Sequence, residues 1–255
     1  MSRLLLISAA LLALVGGTAR AADIPIGAPV YAPPVFVPFT WNGFYIGLNI
    51  GGHSGNDRVT ATSQGSTFAP DGTVNPVGVT GGLQAGYNWQ FSNIVAGVEA
   101  DLNGSGGTVN RTVDAVSTFP GVLPGDFVRN FFNQPALLVT VRPRLGWALD
   151  RGLVYVTGGY AFGTVPVVDS FGVQGSTVTN QSSLTAKLSG WTAGAGFEYA
   201  IARGVSAKVE YLYVSLGSFT NTINTGRTFG GGNVLVQHSY SDNIVRVGLN
   251  FHPTW

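Results

Sequence analysis

Val205-Ser206-Ala207-Lys208-Val209-Glu210-Tyr211-Leu212-Tyr213 is the stretch that decides how this chain is read. Successive side chains of an extended strand point to opposite faces. Val205, Ala207, Val209, Tyr211 and Tyr213 therefore share one face, and Ser206, Lys208 and Glu210 share the other. One row is unbroken apolar and aromatic; the other carries every charge.

The same two-row pattern recurs along the chain. Trp41 to Gly52 sets Phe44, Ile46, Leu48 and Ile50 against Gly43, Tyr45, Gly47, Asn49 and Gly51. Thr80 to Phe91 sets Leu83, Ala85, Tyr87 and Trp89 against Gly82, Gln84, Gly86, Asn88 and Gln90. Next come Ile94, Ala96, Val98, Ala100 and Leu102 against Gly97, Glu99, Asp101 and Asn103. Ala136 to Ala148 places Leu137, Val139, Val141, Leu145 and Trp147 opposite Thr140, Arg142, Arg144 and Gly146. Further rows run through Val154 to Phe162, Trp191 to Tyr199 and Val245 to Phe251. The count is eight, and no amphipathic helical period of useful length competes with it.

Connections between these strands alternate in length. Short turns fall at 92–93, 149–152 and 200–204, and long Gly/Ser/Thr/Asn-rich segments at about 53–79, 104–135, 163–188 and 217–241. Outer-membrane barrels have this asymmetry, with short periplasmic turns and longer outer loops. The predicted fold is all-β, an eight-stranded antiparallel up-and-down transmembrane β-barrel with long outer loops.

Composition agrees. Only 10% of residues are charged and 45% are hydrophobic, against about 25% charged in a typical soluble domain. Met1 to Ala21 has the order of a signal peptide: Arg3, an apolar Leu4 to Val15, then Ala19-Arg20-Ala21 as a small-x-small cleavage site. Residues 22–40 hold Pro25, Pro29, Pro33, Pro34 and Pro38 and read as an extended periplasmic tether. Residues 41–255 form the barrel, and the destination is the cell outer membrane. The chain has no cysteine, so neither a disulfide nor an acylated lipoprotein cysteine is available. Its 13 Lys and Arg face 12 Asp and Glu, and two of the bases, Arg3 and Arg20, fall in the leader. That near balance argues against a nucleic-acid partner.

Charge also says which face meets lipid. Glu99, Asp101, Arg142, Arg144, Glu198, Lys208, Glu210 and Arg246 all lie opposite the aliphatic row, each a few residues from a short turn or the C-terminus. A calyx for greasy ligands would have the reverse. We expect these four acids and four bases to form a salt-bridge layer inside the barrel, either filling the lumen or constricting a narrow channel for small solutes. They also oppose slippage. Shifting the fourth strand by one residue would turn Arg142 and Arg144 into lipid at roughly 2–4 kcal/mol each near the midplane. Aromatics on the lipid row gather at both ends, Trp89, Trp147, Tyr199 and Phe251 near the short turns and Tyr160, Phe162, Trp191, Tyr211 and Tyr213 toward the long loops, as two interfacial girdles would.

Several motifs resemble one family. Phe39-Thr40-Trp41-Asn42-Gly43-Phe44-Tyr45-Ile46-Gly47 after a proline-rich start, Val141-Arg142-Pro143-Arg144-Leu145-Gly146, Gly194-Ala195-Gly196-Phe197-Glu198-Tyr199 and Val245-Arg246-Val247-Gly248-Leu249-Asn250-Phe251 are similar to the small alphaproteobacterial outer-membrane immunogenic porins. The resemblance covers nearly all of the mature chain. It implies a barrel related to the OmpA-like and opacity-protein barrels, structural and surface-exposed in the envelope, with no enzyme activity and no resident cofactor. The implied partners are outer-membrane lipid and lipopolysaccharide, the barrel-assembly machinery, and external ligands of the loops. It also implies a terminal aromatic that serves as assembly signal, here Phe251 or, beyond His252-Pro253-Thr254, Trp255.

Other chemistry is weakly signalled. Some members of the family bind haemin, and His53 and His238 lie near the outer loops, but isolated histidines in polar loops are ordinarily solvated and their spacing matches no ligand set. Gly104-Ser105-Gly106-Gly107 lacks the strand-to-helix context of a nucleophile elbow, and Arg142 and Arg144 explain the Glu99–Asp101 pair without catalysis.

Overall fold

The computed structural model describes residues 39–63, 66–67, 72–106, 108–114, 126–133, 137–173, 179–224 and 233–253. The leader, nearly all of the tether and Trp255 lie outside these residues. The strands are β1 (Gly43–Ser63), β2 (Ser66–Thr67), β3 (Gly72–Val74), β4 (Val77–Phe91), β5 (Ile94–Gly106), β6 (Thr108–Asp114), β7 (Asp126–Asn133), β8 (Leu137–Leu149), β9 (Gly152–Val173), β10 (Thr179–Ala202), β11 (Val205–Asn224) and β12 (Asn233–Phe251). Eight of them form a closed antiparallel ring in the order β1-β4-β5-β8-β9-β10-β11-β12, with β12 returning to pair with β1 from Ile46↔Phe251 to Ser63↔Val234. Closure leaves the ring no unpaired edge, as lipid requires.

Three hairpins turn at one end through two residues each, between Phe91 and Ile94, Leu149 and Gly152, and Ala202 and Val205. Ser92 and Asp150 take positive φ values of 56° and 55° there, the twist such tight hairpins need. At the other end, much of what composition suggests is loop is strand. β9, β10, β11 and β12 run on for 22, 24, 20 and 19 residues, and β1 continues to Ser63. The hairpin β6–β7 adds to the outer part of β9, from Asp126↔Val173 to Phe132↔Val167.

The wall therefore extends beyond the membrane. A strand rising about 3.4 Å per residue and tilted about 40° crosses a 25 Å apolar band in about ten residues. On β10 the outward row is apolar from Ile201 up to Trp191, then becomes Ser189, Lys187, Thr185, Ser183 and Gln181. The change falls after Ile50 on β1, where Ser54, Asn56 and Arg58 follow, and before Val245 on β12, where Asn243, Ser241, Ser239 and Gln237 stand above it. Alternation persists above this line, but its outer row is mostly hydroxyl and amide, with aliphatic residues such as Leu235 and Val77 interspersed. That is why these segments resemble loops in sequence.

One proline sits inside the ring. Pro143 offers no N–H, and pairing of β8 with β9 is interrupted between Val141 and Arg144. Thr157 instead donates its hydroxyl to the Pro143 carbonyl at 2.9 Å.

Candidate functional site

The lumen is stacked in layers. At the end with short turns, Trp41, Val95, Ala148, Leu153, Tyr155 and Ala200 pack together, with Phe39 edge-on to Trp41 at 5.2 Å. Trp41 is held by its backbone N–H, which donates to Gln90 Oε1 at 2.6 Å. The Trp41 indole thus caps the mouth of the barrel at the end with short turns.

Above it, all eight charged residues singled out by strand parity are buried side by side. Arg142 Nη2 lies 2.7 Å from Glu99 Oε1 and 2.6 Å from Asp101 Oδ2, and its Nη1 3.4 Å from Glu210 Oε1. Arg144 reaches Glu198 at 2.8 Å and Glu99 at 3.4 Å. Lys208 Nζ meets Glu99 at 2.9 Å, and Arg246 Nη2 meets Asp101 at 2.9 Å while its Nε donates to Glu210 at 2.7 Å. Two tyrosines join the layer from positions that sequence parity makes inward but does not mark as partners. Tyr45 accepts from Arg144 at 2.8 Å and donates to Glu99 at 2.7 Å, and Tyr155 donates to Glu210 at 2.8 Å. The Arg144 guanidinium also lies 4.2 Å from the centre of the Tyr155 ring, a cation–π arrangement. Four acids against four bases leave no formal net charge. Each charge has several partners, the condition under which buried ions are tolerated.

The next layer outward is apolar: Leu138, Ala161, Val165, Leu188, Leu212, Val214, Leu216 and Ile244 form one cluster. Above and beside it lies a second polar group that the sequence reading misassigns. His53 and His238 are not solvated loop residues; they are buried strand residues facing inward. His53 Nδ1 is 3.0 Å from Asp242 Oδ2, to which Tyr240 also donates at 3.0 Å. His238 Nδ1 is 2.7 Å from Asp57 Oδ2, and its Nε2 is 3.2 Å from Asp169 Oδ2 on β9, across the lumen. Ionised carboxylates only accept, so both ring nitrogens must donate, which is the charged imidazolium. Phe219 stacks on the same ring at 4.8 Å, and Asn221 ties in by donating to Asp169 at 2.8 Å. The available signal was parity: His53 and Asp57 keep the inward phase of Tyr45 and Asn49, and His238 and Asp242 that of Arg246 and Asn250.

Carboxylates occupy both ring nitrogens of His238 and the Nδ1 of His53. A Ser–His–acid trio near the periplasmic end, Ser206, His252 and Glu198, fails as a relay. Ser206 Oγ and Glu198 Oε1 both approach His252 Nε2, at 3.0 and 3.6 Å, whereas a triad acid orients the imidazole through its other nitrogen.

A closed ring with an apolar outer band, ionic interior and polar rim defines a transmembrane β-barrel of the outer-membrane type. The chain belongs to the outer membrane protein beta-barrel domain family, whose model matches residues 9–252, and it resides in the outer membrane. Relatives include the 31 kDa outer-membrane immunogenic protein of Brucella melitensis biotype 1, 34% identical over 96% of this chain and 98% of that protein. The 22 kDa outer membrane protein of Rhizobium leguminosarum bv. viciae is 30% identical over 85% of this chain and 80% of its own length. Among solved structures, the outer membrane protein OprG of Pseudomonas aeruginosa aligns with a TM-score of 0.48 and 16% identity, covering 83% of this chain and 97% of that one.

Proposed function

We propose that this barrel is a structural, surface-exposed element of the outer membrane whose lumen is closed, and that it neither conducts solutes nor catalyses a reaction. The observation that carries this reading is the stacking inside the barrel. The balanced layer of Glu99, Asp101, Arg142, Arg144, Glu198, Lys208, Glu210 and Arg246 lies between the Trp41 cap and the Leu138–Leu216 cluster, and an eight-stranded lumen is just wide enough for side chains to fill. The outward wall supports contact with lipopolysaccharide. Among the residues whose side chains are described, Arg58 and Lys187 are the charged residues on the outward strand faces, whereas the carboxylates Asp57, Glu99, Asp101, Asp169, Glu198, Glu210 and Asp242 are buried inward. Exposure of the rim at the cell surface fits relatives called immunogenic.

For assembly, β12 ends with Phe251 on the lipid face, after which His252 turns inward. This supports Phe251 over Trp255 as the terminal signal.

Conductance tests the closed lumen. Refolded protein in planar bilayers is expected to stay silent. Steps from the unmodified barrel would replace this reading with that of a narrow channel.

A further inference from the structure

Closing the ring poses a problem that lipid cannot solve. Lipid outside and charge inside fix only which face each residue takes, so they forbid a slip of one residue and permit a slip of two. In β4–β5, β8–β9 and β10–β11 a two-residue turn removes that freedom. β1 and β12 stand at opposite ends of the described barrel and have no turn between them, yet they pair in one register over 18 residues of β1.

We infer that the inward residues of the β1–β12 seam, His53 diagonal to Asp242, Asp57 diagonal to His238, and Gly47 and Gly51 directly facing Asn250 and Arg246, form a register code that selects the closed ring. Each slip of two residues meets its own obstacle. Moved one way, the seam sets Asp57 opposite Asp242 and separates both histidines from their acids; like charges directly opposite destabilise a sheet. Moved the other way, Arg246 and Asn250 leave the glycines and fall opposite Asn49 and Tyr45. That slip keeps both histidine–acid pairs, so the glycines oppose it. The native inward rungs Gly47↔Asn250, Asn49↔Gly248 and Gly51↔Arg246 each hold one glycine. The strands are so close that a Cβ on Gly51 would lie 2.6 Å from Arg246 Cβ and 2.2 Å from the Val245 carbonyl oxygen, leaving no room for two side chains on one rung. A Cβ on Gly47 would likewise lie 2.3 Å from the Leu249 carbonyl oxygen. Asp169 anchors the code from the far wall, because it holds His238 from β9 independently of the seam.

Disulfide trapping tests this, since the chain has no cysteine of its own. Asn56 and Ser241 face each other on the outward side of the seam, at the separation a disulfide spans. Asn56→Cys with Ser241→Cys reports the native register, and Asn56→Cys with Asn243→Cys or Ser239→Cys reports the two slips. During oxidative refolding into vesicles the native pair is expected to cross-link and the slip pairs to stay reduced. Asp242→His removes the like-charge obstacle to the first slip and places a histidine opposite Asp57, so the 56–243 product should rise about tenfold relative to the 56–241 product. Adding Asp57→Asn should reverse that rise. The code is wrong if Asp242→His folds with 56–241 still the sole cross-link, or if neither Asp242→His nor its combination with Asp57→Asn folds. Folding of the combination alone supports it, because only the competing register has been weakened.

Discussion

Below a line drawn through Ile50, Trp191 and Val245, the wall is apolar outside and ionic inside; above it, the wall is polar outside and its interior alternates apolar packing with histidine–carboxylate pairs. The same eight-strand ring runs through both regions, so the difference comes from the solvent. In the lower half lipid punishes any charge that turns outward, and the salt-bridge layer can be both buried and held in phase. In the upper half water meets the outer face and tolerates either row there. Interior packing and specific pairs must do what lipid does below.

The largest effect should come from unbalancing the lower layer. Arg142 reaches Glu99, Asp101 and Glu210, so Arg142→Met leaves the layer with one surplus negative charge in a buried site. Removing one partner of a buried ionic group costs about 3–5 kcal/mol. The urea midpoint of the refolded barrel, read as the fraction of fast-migrating band on unheated SDS gels, should fall accordingly. Arg142→Lys keeps the charge and should recover part of the loss, because the lysine lacks the fork that serves two carboxylates at once.

The line between the regions can be placed by paired substitutions on one strand. Val247 and Gln237 both point outward from β12, one below the line and one above. Val247→Arg should cost about 2–4 kcal/mol, the penalty for a cation on the lipid face near the midplane, and Gln237→Arg should leave stability within about 0.5 kcal/mol of the parent. Equal costs would mean that the apolar band reaches much higher on β12 than its outward row indicates.

What was legible in sequence follows the same division. Lower strands announce themselves because lipid demands aliphatic residues on one row, and Val205 to Tyr213 shows both rows at a glance. The eight charges of the lumen were readable from parity, and the structure places them in one cluster. The upper strands were not readable as strands, since Ser183, Thr185 and Ser189 are turn residues by composition and give no apolar row to count. His53 and His238 were lost with them. Their partners Asp57, Asp169 and Asp242 lie 181, 69 and 189 positions distant from the histidine they serve or come from strands that no local pattern joins, so only the closed ring brings them together.

A smaller and more local effect should follow from His238. The ring spans Asp57 on β1 and Asp169 on β9, whereas a glutamine has one amide donor group and a carbonyl that would face a carboxylate. His238→Gln therefore forfeits one charged hydrogen bond and leaves a carboxylate poorly answered, at about 1–3 kcal/mol. Lipid still enforces the lower half, so the loss should be confined to the upper wall. Amide hydrogen exchange in vesicles should quicken at 54–62 and 233–241 and stay unchanged at 44–50 and 245–251, where the ladder crosses the apolar band. Uniform quickening along β1 and β12 would show that the two halves open as one unit and that the line between them marks a change of solvent but not of cooperativity.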